Sequence, residues 1–179
     1  RLHGPSPLRC VLMGEEPLLQ HCATSLLQAG HQIEAVVTED PALVAWAETN
    51  DLRRLAPDTY QEAVIDIGPD VFFSIANLRI VPEDVLRSAR VAAINFHDGI
   101  LLEYAGLNVP SWSLANRERE HGVTWHLMER SVDSGGILKQ KTFEIGETTT
   151  AQVLNLQCFE VGLASFRELV DELTRPAGI

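Results

Sequence analysis

Apolar residues in the first half of the chain fall into short runs separated by stretches of helical spacing. The runs at 8–13, 32–38 (QIEAVVT), 71–75 and 91–96 have the length and the β-branched or aromatic content of buried strands. Between them, residues 17–29 repeat at Leu18, Cys22, Ser25, Leu26 and Ala29, and Gly30 stops the repeat. Asp40 and Pro41 open a helix that runs to about Asn50, because aspartate suits the N-cap and proline the first turn. Residues 60–67 and 82–87 predict shorter helices, and a weak strand is expected near Leu55. This βαβα order predicts an α/β fold: a Rossmann-like, mostly parallel sheet with helices on both faces.

The second half changes character. Residues 110–119 read as a helix. Residues 122–128 (GVTWHLM) alternate as a strand, and so do 138–145 (LKQKTFEI). In the latter, Leu138, Gln140, Thr142 and Glu144 share one face and Lys139, Lys141, Phe143 and Ile145 the other. A turn, Asp133-Ser134-Gly135-Gly136, lies between the two strands. Residues 148–173 predict a long amphipathic helix with Thr149 or Thr150 as its cap. Its buried side is expected to carry Val153, Leu156, Val161, Leu163, Phe166, Leu169 and Val170. No internal repeat is present. The expected division is a linker or appended remnant at 1–7, one domain at 8–174 and a linker at 175–179.

Charge and composition narrow the function classes. Fourteen basic residues stand against 25 acidic ones, a net of -11. Nucleic-acid affinity comes largely from Lys and Arg displacing counterions, so an acidic domain without a basic stripe is a poor partner for tRNA or DNA. No run approaches the roughly 20 apolar residues that span a bilayer, and the first ten residues lack the order of a signal peptide. The three cysteines, Cys10, Cys22 and Cys158, are odd in number, fit no metal spacing and sit in apolar contexts. They read as reduced core residues of a cytoplasmic protein.

Chemistry concentrates where the run 91–96 ends, in Ile94-Asn95-Phe96-His97-Asp98-Gly99. Ligands of open α/β sheets collect at the carboxyl ends of strands, and an amide and an imidazole stand two apart at such an end. Asp133 lies in a Gly-flanked turn from which a carboxylate can enter a cleft. Singly, each has an ordinary structural explanation: a strand-end histidine, a turn asparagine, a turn aspartate. Trp112 and Trp125 are expected to pack in the core rather than line an acceptor pocket.

Together these residues form a longer pattern. INFHDGILLEYAGLN at 94–108, followed by HGVTWHLMERSVDSGGIL at 121–138, resembles the folate-dependent formyltransferase family. Its hallmarks are N-x-H near a strand end, a Y/F-x-G turn, G-V-T-x-H and D-x-G, all present here in that order. The resemblance extends over roughly residues 8–145. It implies a fold of the formyltransferase type and an enzyme that moves a formyl group from 10-formyltetrahydrofolate to an amine, without a metal. It also implies Asn95, His97 and Asp133 as the catalytic trio. Formyl transfer is acyl transfer, so a carboxamide N–H can stabilise the developing oxyanion. An imidazole can exchange the amine's proton near neutral pH. Asp133 would hold the imidazole or pass a proton through water.

The same resemblance places the pterin between two loops, one with Leu78, Arg79, Ile80 and Val81 and the other with Val132 and Asp133. There are departures. Where the family commonly has Pro-Ser-Leu-Leu-Pro after the histidine, this chain has Asp98-Gly99-Ile100-Leu101-Leu102-Glu103. Its first loop, Met13-Gly14-Glu15-Glu16-Pro17, lacks the repeated small residues that cradle a nucleotide phosphate and carries two acids that repel one. The expected acceptor is therefore a small-molecule or carrier-bound amine. The segments GEEPLLQHC and GHQIEAVV resemble formylation domains of nonribosomal peptide synthetases, which implies an aminoacyl group on a carrier, with adjacent synthetase domains as partners. Hydrolysis of 10-formyltetrahydrofolate and a catalytically silent folate-binding or docking module stand as alternatives.

Overall fold

The computed structural model describes residues 2–101, 109–128 and 136–175. The element order is β1 (Arg9–Met13), α1 (Pro17–Gln28), β2 (Gln32–Val37), α2 (Pro41–Thr49), β3 (Arg54–Leu55), α3 (Gln61–Ile67), β4 (Val71–Ile75), α4 (Glu83–Ser88), β5 (Ala92–His97), α5 (Val109–Ala115), β6 (Glu120–Leu127), β7 (Ile137–Glu144) and α6 (Ala151–Thr174). Among the described residues, seven strands join one sheet in the order β3-β2-β1-β4-β5-β6-β7. The pairs from β3 to β5 are parallel, whereas β6 and β7 are each antiparallel to the strand before them. The mostly parallel sheet expected from the βαβα pattern is thus present, with an antiparallel hairpin at one edge.

Alternate strand residues feed two cores. Leu12, Phe73, Ile94, Phe96 and Trp125 pack on α1 and α6 through Leu18, Cys22, Cys158 and Phe166. Val11, Met13, Phe72 and Ala93 pack on α3 and α4 through Val64 and Val85. Runs buried on both faces are why β1, β4 and β5 read as nearly continuous apolar segments. The Asp40 side chain accepts from Ala42 N and Leu43 N at 3.0 Å each, as an N-cap should. All three cysteines are free and buried. Burial pushes the Cys158 thiol up to about 12 and holds Cys10 and Cys22 well above the ordinary thiol range, so these are core thiols rather than nucleophiles.

Three expectations need correction. α5 ends at Ala115, short of Arg119, because Arg117 adopts a left-handed φ of 55° and β6 begins at Glu120. The buried stripe of α6 is Leu154, Cys158, Gly162, Ser165, Phe166, Leu169, Val170 and Leu173, while Val153 and Leu156 are exposed. The stripe advances by three or four residues from Leu154, which turns those two positions outward. Trp112 is 61% exposed and is not core, unlike Trp125, which is fully buried and donates its indole N–H to Ser165 Oγ at 3.0 Å.

The strand order changes direction between β1 and β4, and Gly14 sits at that point. A Cβ on Gly14 would lie 2.0 Å from the Ile75 carbonyl oxygen, a backbone atom that cannot rotate away. Gly14→Ala is therefore expected to cost about 2–3 kcal/mol by overpacking. For a domain of this size that lowers Tm by roughly 5–10 °C, as thermal unfolding followed by circular dichroism will read.

Candidate active site

Asn95 and His97 are two apart on β5 and share one face of the sheet, the face whose core contains Ala93. Strand register gives each of them polar neighbours. Ser74 of β4 and His126 of β6 flank Asn95, and Thr124 lies beside His97 with Gln140 of β7 beyond it. The row between them, Ile75, Phe96 and Trp125, turns to the opposite face and is buried in the core there. The sheet therefore becomes polar on a single face, at the carboxyl ends of β4 and β5, where ligands of such sheets bind.

Three residues of β6 hold the end of β5 and the turn after it. Asn95 Nδ2 lies 3.2 Å from His126 Nε2, and His126 Nδ1 lies 3.0 Å from the Leu127 carbonyl. Thr124 Oγ1 donates to the Gly99 carbonyl at 2.7 Å. His121 Nε2 donates to the Asp98 carbonyl at 2.9 Å, and its Nδ1 accepts from the Ser113 hydroxyl at 3.0 Å. Burial holds the His121 imidazole below the ordinary histidine range, so it stays neutral at pH 7 and keeps this pair of bonds. His97 itself is buried. Its ring lies against Gly99, where an added Cβ would be 2.9 Å from Nε2 and 2.8 Å from Val109 Cγ1, so only glycine leaves the imidazole its place.

The loop after β4 starts at Ala76, whose φ of 48° is left-handed. Asn77 braces it, accepting from Arg79 N at 3.0 Å and donating to Arg79 O at 3.0 Å. The Arg79 guanidinium bonds Asp58 at 3.0 Å and Glu39 at 2.5 Å, tying this loop to those after β2 and β3. Leu78 and Ile80, on either side, are 78% and 84% exposed, while Val81 is buried in the second core. Arg79 is thus a brace, and the apolar side chains that this loop exposes are Leu78 and Ile80.

In the first loop, the Glu15 carboxylate reaches across to the start of α2. It accepts from Thr38 Oγ1 at 2.8 Å, Glu39 N at 3.0 Å and Asp40 N at 2.8 Å. Backbone N–H groups that could receive a phosphate here already bind the chain's own anion.

Asn95, His97 and the 78–81 loop are thus found at the carboxyl ends of adjacent strands, while Val132 and Asp133 lie outside the described residues. Among the described residues no group of three His, Cys, Asp or Glu is arranged to hold a metal ion, and no helix is long and apolar enough to cross a membrane. Sequence reasoning passed over His121, Thr124 and His126 as site residues. The alternation of GVTWHLM already placed Thr124 and His126 on one strand face, but nothing local says that this face meets β5.

The sequence profile described as "Formyl transferase" matches residues 20–167. A methionyl-tRNA formyltransferase of Anaeromyxobacter dehalogenans is 30% identical over 164 residues, covering 82% of this chain and 53% of the relative. The chain thus spans about half the length of that relative. The fold is that of a phosphoribosylglycinamide formyltransferase from Bacillus halodurans, at a TM-score of 0.83 and 19% identity over 95% of this chain and 97% of that one. A formyltetrahydrofolate deformylase from Pseudomonas syringae shares it at 0.77 and 18% identity, over 92% and 60%.

Proposed function

The chain belongs to the formyl transferase family, and from that premise we propose that it transfers a formyl group from 10-formyltetrahydrofolate to an amine. The observation that carries this reading is the convergence of Asn95 and His97 on one face of β5, with His126 of β6 bonding Asn95 and Thr124 of β6 bonding the turn at Gly99. A carboxamide beside an imidazole at an open strand end can handle the two charges that acyl transfer creates.

The donor fits the loop after β4. Leu78 and Ile80 leave two large apolar side chains in solvent on a loop that Arg79 and Asn77 hold rigid. A flat pterin laid against them would cover that surface, and the loop's backbone groups can read its polar edge. The folate supplies an activated acyl group. Asn95 offers an N–H to the oxygen that gains charge, and His97 takes the proton that the attacking amine sheds or returns one to the leaving nitrogen. Asp133, assigned by its place in the motif, holds the imidazole or passes its proton through water.

For the acceptor, an aminoacyl group held on a carrier of a nonribosomal peptide synthetase is the reading supported by charge. The net of -11 disfavours a polyanion, and Glu15 already fills an anion position of the first loop. An aminoacyl-tRNA is the second reading, favoured by what the sequence relative is named for.

The test is tetrahydrofolate release from 10-formyltetrahydrofolate with no amine, with an aminoacyl-pantetheine thioester, and with methionyl-tRNA. Release that requires the thioester is the expected result. Release that requires the tRNA would replace the acceptor, release without any amine would make the protein a hydrolase, and binding without turnover would make it a docking module.

A further inference from the structure

The bond between Asn95 and His126 carries more than packing. A carbonyl oxygen only accepts, so the 3.0 Å contact to Leu127 O puts the proton of His126 on Nδ1. With the imidazole neutral, Nε2 has only a lone pair to offer, and Asn95 Nδ2, 3.2 Å away, presents an N–H to it. This decides which end of the Asn95 carboxamide faces β6, a choice that the shape of an amide alone leaves open by 180°. His126 is buried and Asn95 half-buried, so water does not compete freely for the bond. The two hydrogens of an amide nitrogen diverge by about 120°, so with one on His126 the other has a set direction.

We infer that His126 is a positioning residue for formyl transfer: it orients the Asn95 carboxamide so that an N–H rather than the carbonyl oxygen meets the charge developing on the substrate. The inference rests on the proposed role of Asn95 and adds to it a tautomer and a direction. It also assigns the histidine of GVTWH a task that requires no contact with substrate. Replacing that histidine by leucine leaves the Asn95 N–H facing hydrocarbon without an acceptor, so the carboxamide turns away and most molecules present oxygen to oxygen.

Four variants test it: His126→Leu, His126→Gln, His126→Asn and the pair His126→Leu with Asn95→Ala. Glutamine places an acceptor near the former Nε2, whereas asparagine reaches only the former Nδ1. His126→Leu is expected to lower kcat roughly 10- to 100-fold, the usual range for removing one partner of a buried hydrogen bond, with KM for the folate little changed. His126→Gln should recover most of that loss and His126→Asn little of it. In the Asn95→Ala background, His126→Leu should have no further effect on kcat, because there is no carboxamide left to orient. Equal loss in the glutamine and asparagine variants, or losses that multiply in the pair, would overturn the inference. Full activity of Asn95→Ala alone would instead overturn the assignment of Asn95 itself. Unfolding of His126→Leu, seen as a lost thermal transition, leaves the decision to the glutamine–asparagine comparison.

Discussion

Replacing His97 by alanine is expected to lower amine-dependent release of tetrahydrofolate about 10²–10⁴-fold, the span typical of a positioned general acid–base group. The imidazole is buried at the end of β5, against Gly99, on the face that Asn95 shares. It belongs to neither apolar core, so its loss removes little hydrocarbon from the packing. The fold should therefore persist, with a cooperative thermal transition within a few degrees of the parent. That combination separates a chemical role from a structural one. A variant that unfolds would say that the ring is packing material, and one that turns over normally would remove His97 from the chemistry.

The strands and most helices were legible because each obeys one local rule. A parallel strand between two helical layers must be apolar on both faces, and β1, β4 and β5 are so up to the polar carboxyl ends of β4 and β5. The Asp40–Pro41 start of α2 is a local capping signal, and the structure realises it in two hydrogen bonds. What misled was orientation. α6 has apolar residues on more than one face, and Gly162, invisible to any hydrophobic count, marks the buried one, because a Cβ there would strike the Phe96 ring at 2.7 Å. Trp112 looked like core by its chemistry alone, yet α5 turns it outward.

The candidate site divides in the same way. Asn95 and His97 are local in sequence, so the period of a strand places them on one face without further information. His126 lies 31 positions from Asn95, and only the β5–β6 register joins them. A register shift of one would have faced His126 toward the α6 core and Trp125 toward the site. Trp125 packs on Phe73, Phe96 and Phe166. That aromatic cluster on one face thus helps to set the polar contacts on the other. Chemistry and core are in this sense two readings of one register.

Replacing Asn95 is expected to reveal its role through the order of two variants. Asn95→Ala removes an oxyanion donor, which typically costs about 3–4 kcal/mol of transition-state stabilisation, or roughly 10²–10³-fold in kcat. KM for the folate should change little, because the bond strengthens only as charge develops. Asn95→Asp keeps the size and shape of the side chain but offers oxygen where the carboxamide offered N–H. One carboxylate oxygen then faces the lone pair of His126 Nε2, and the charge repels the one forming on the substrate. Aspartate should therefore be no better than alanine, and worse if the carboxylate stays ionised. If Asn95 served only to fill space beside Ser74 and His126, the isosteric aspartate would instead outperform alanine. Measuring kcat for both variants under the conditions that give amine-dependent release decides between a donor and a spacer.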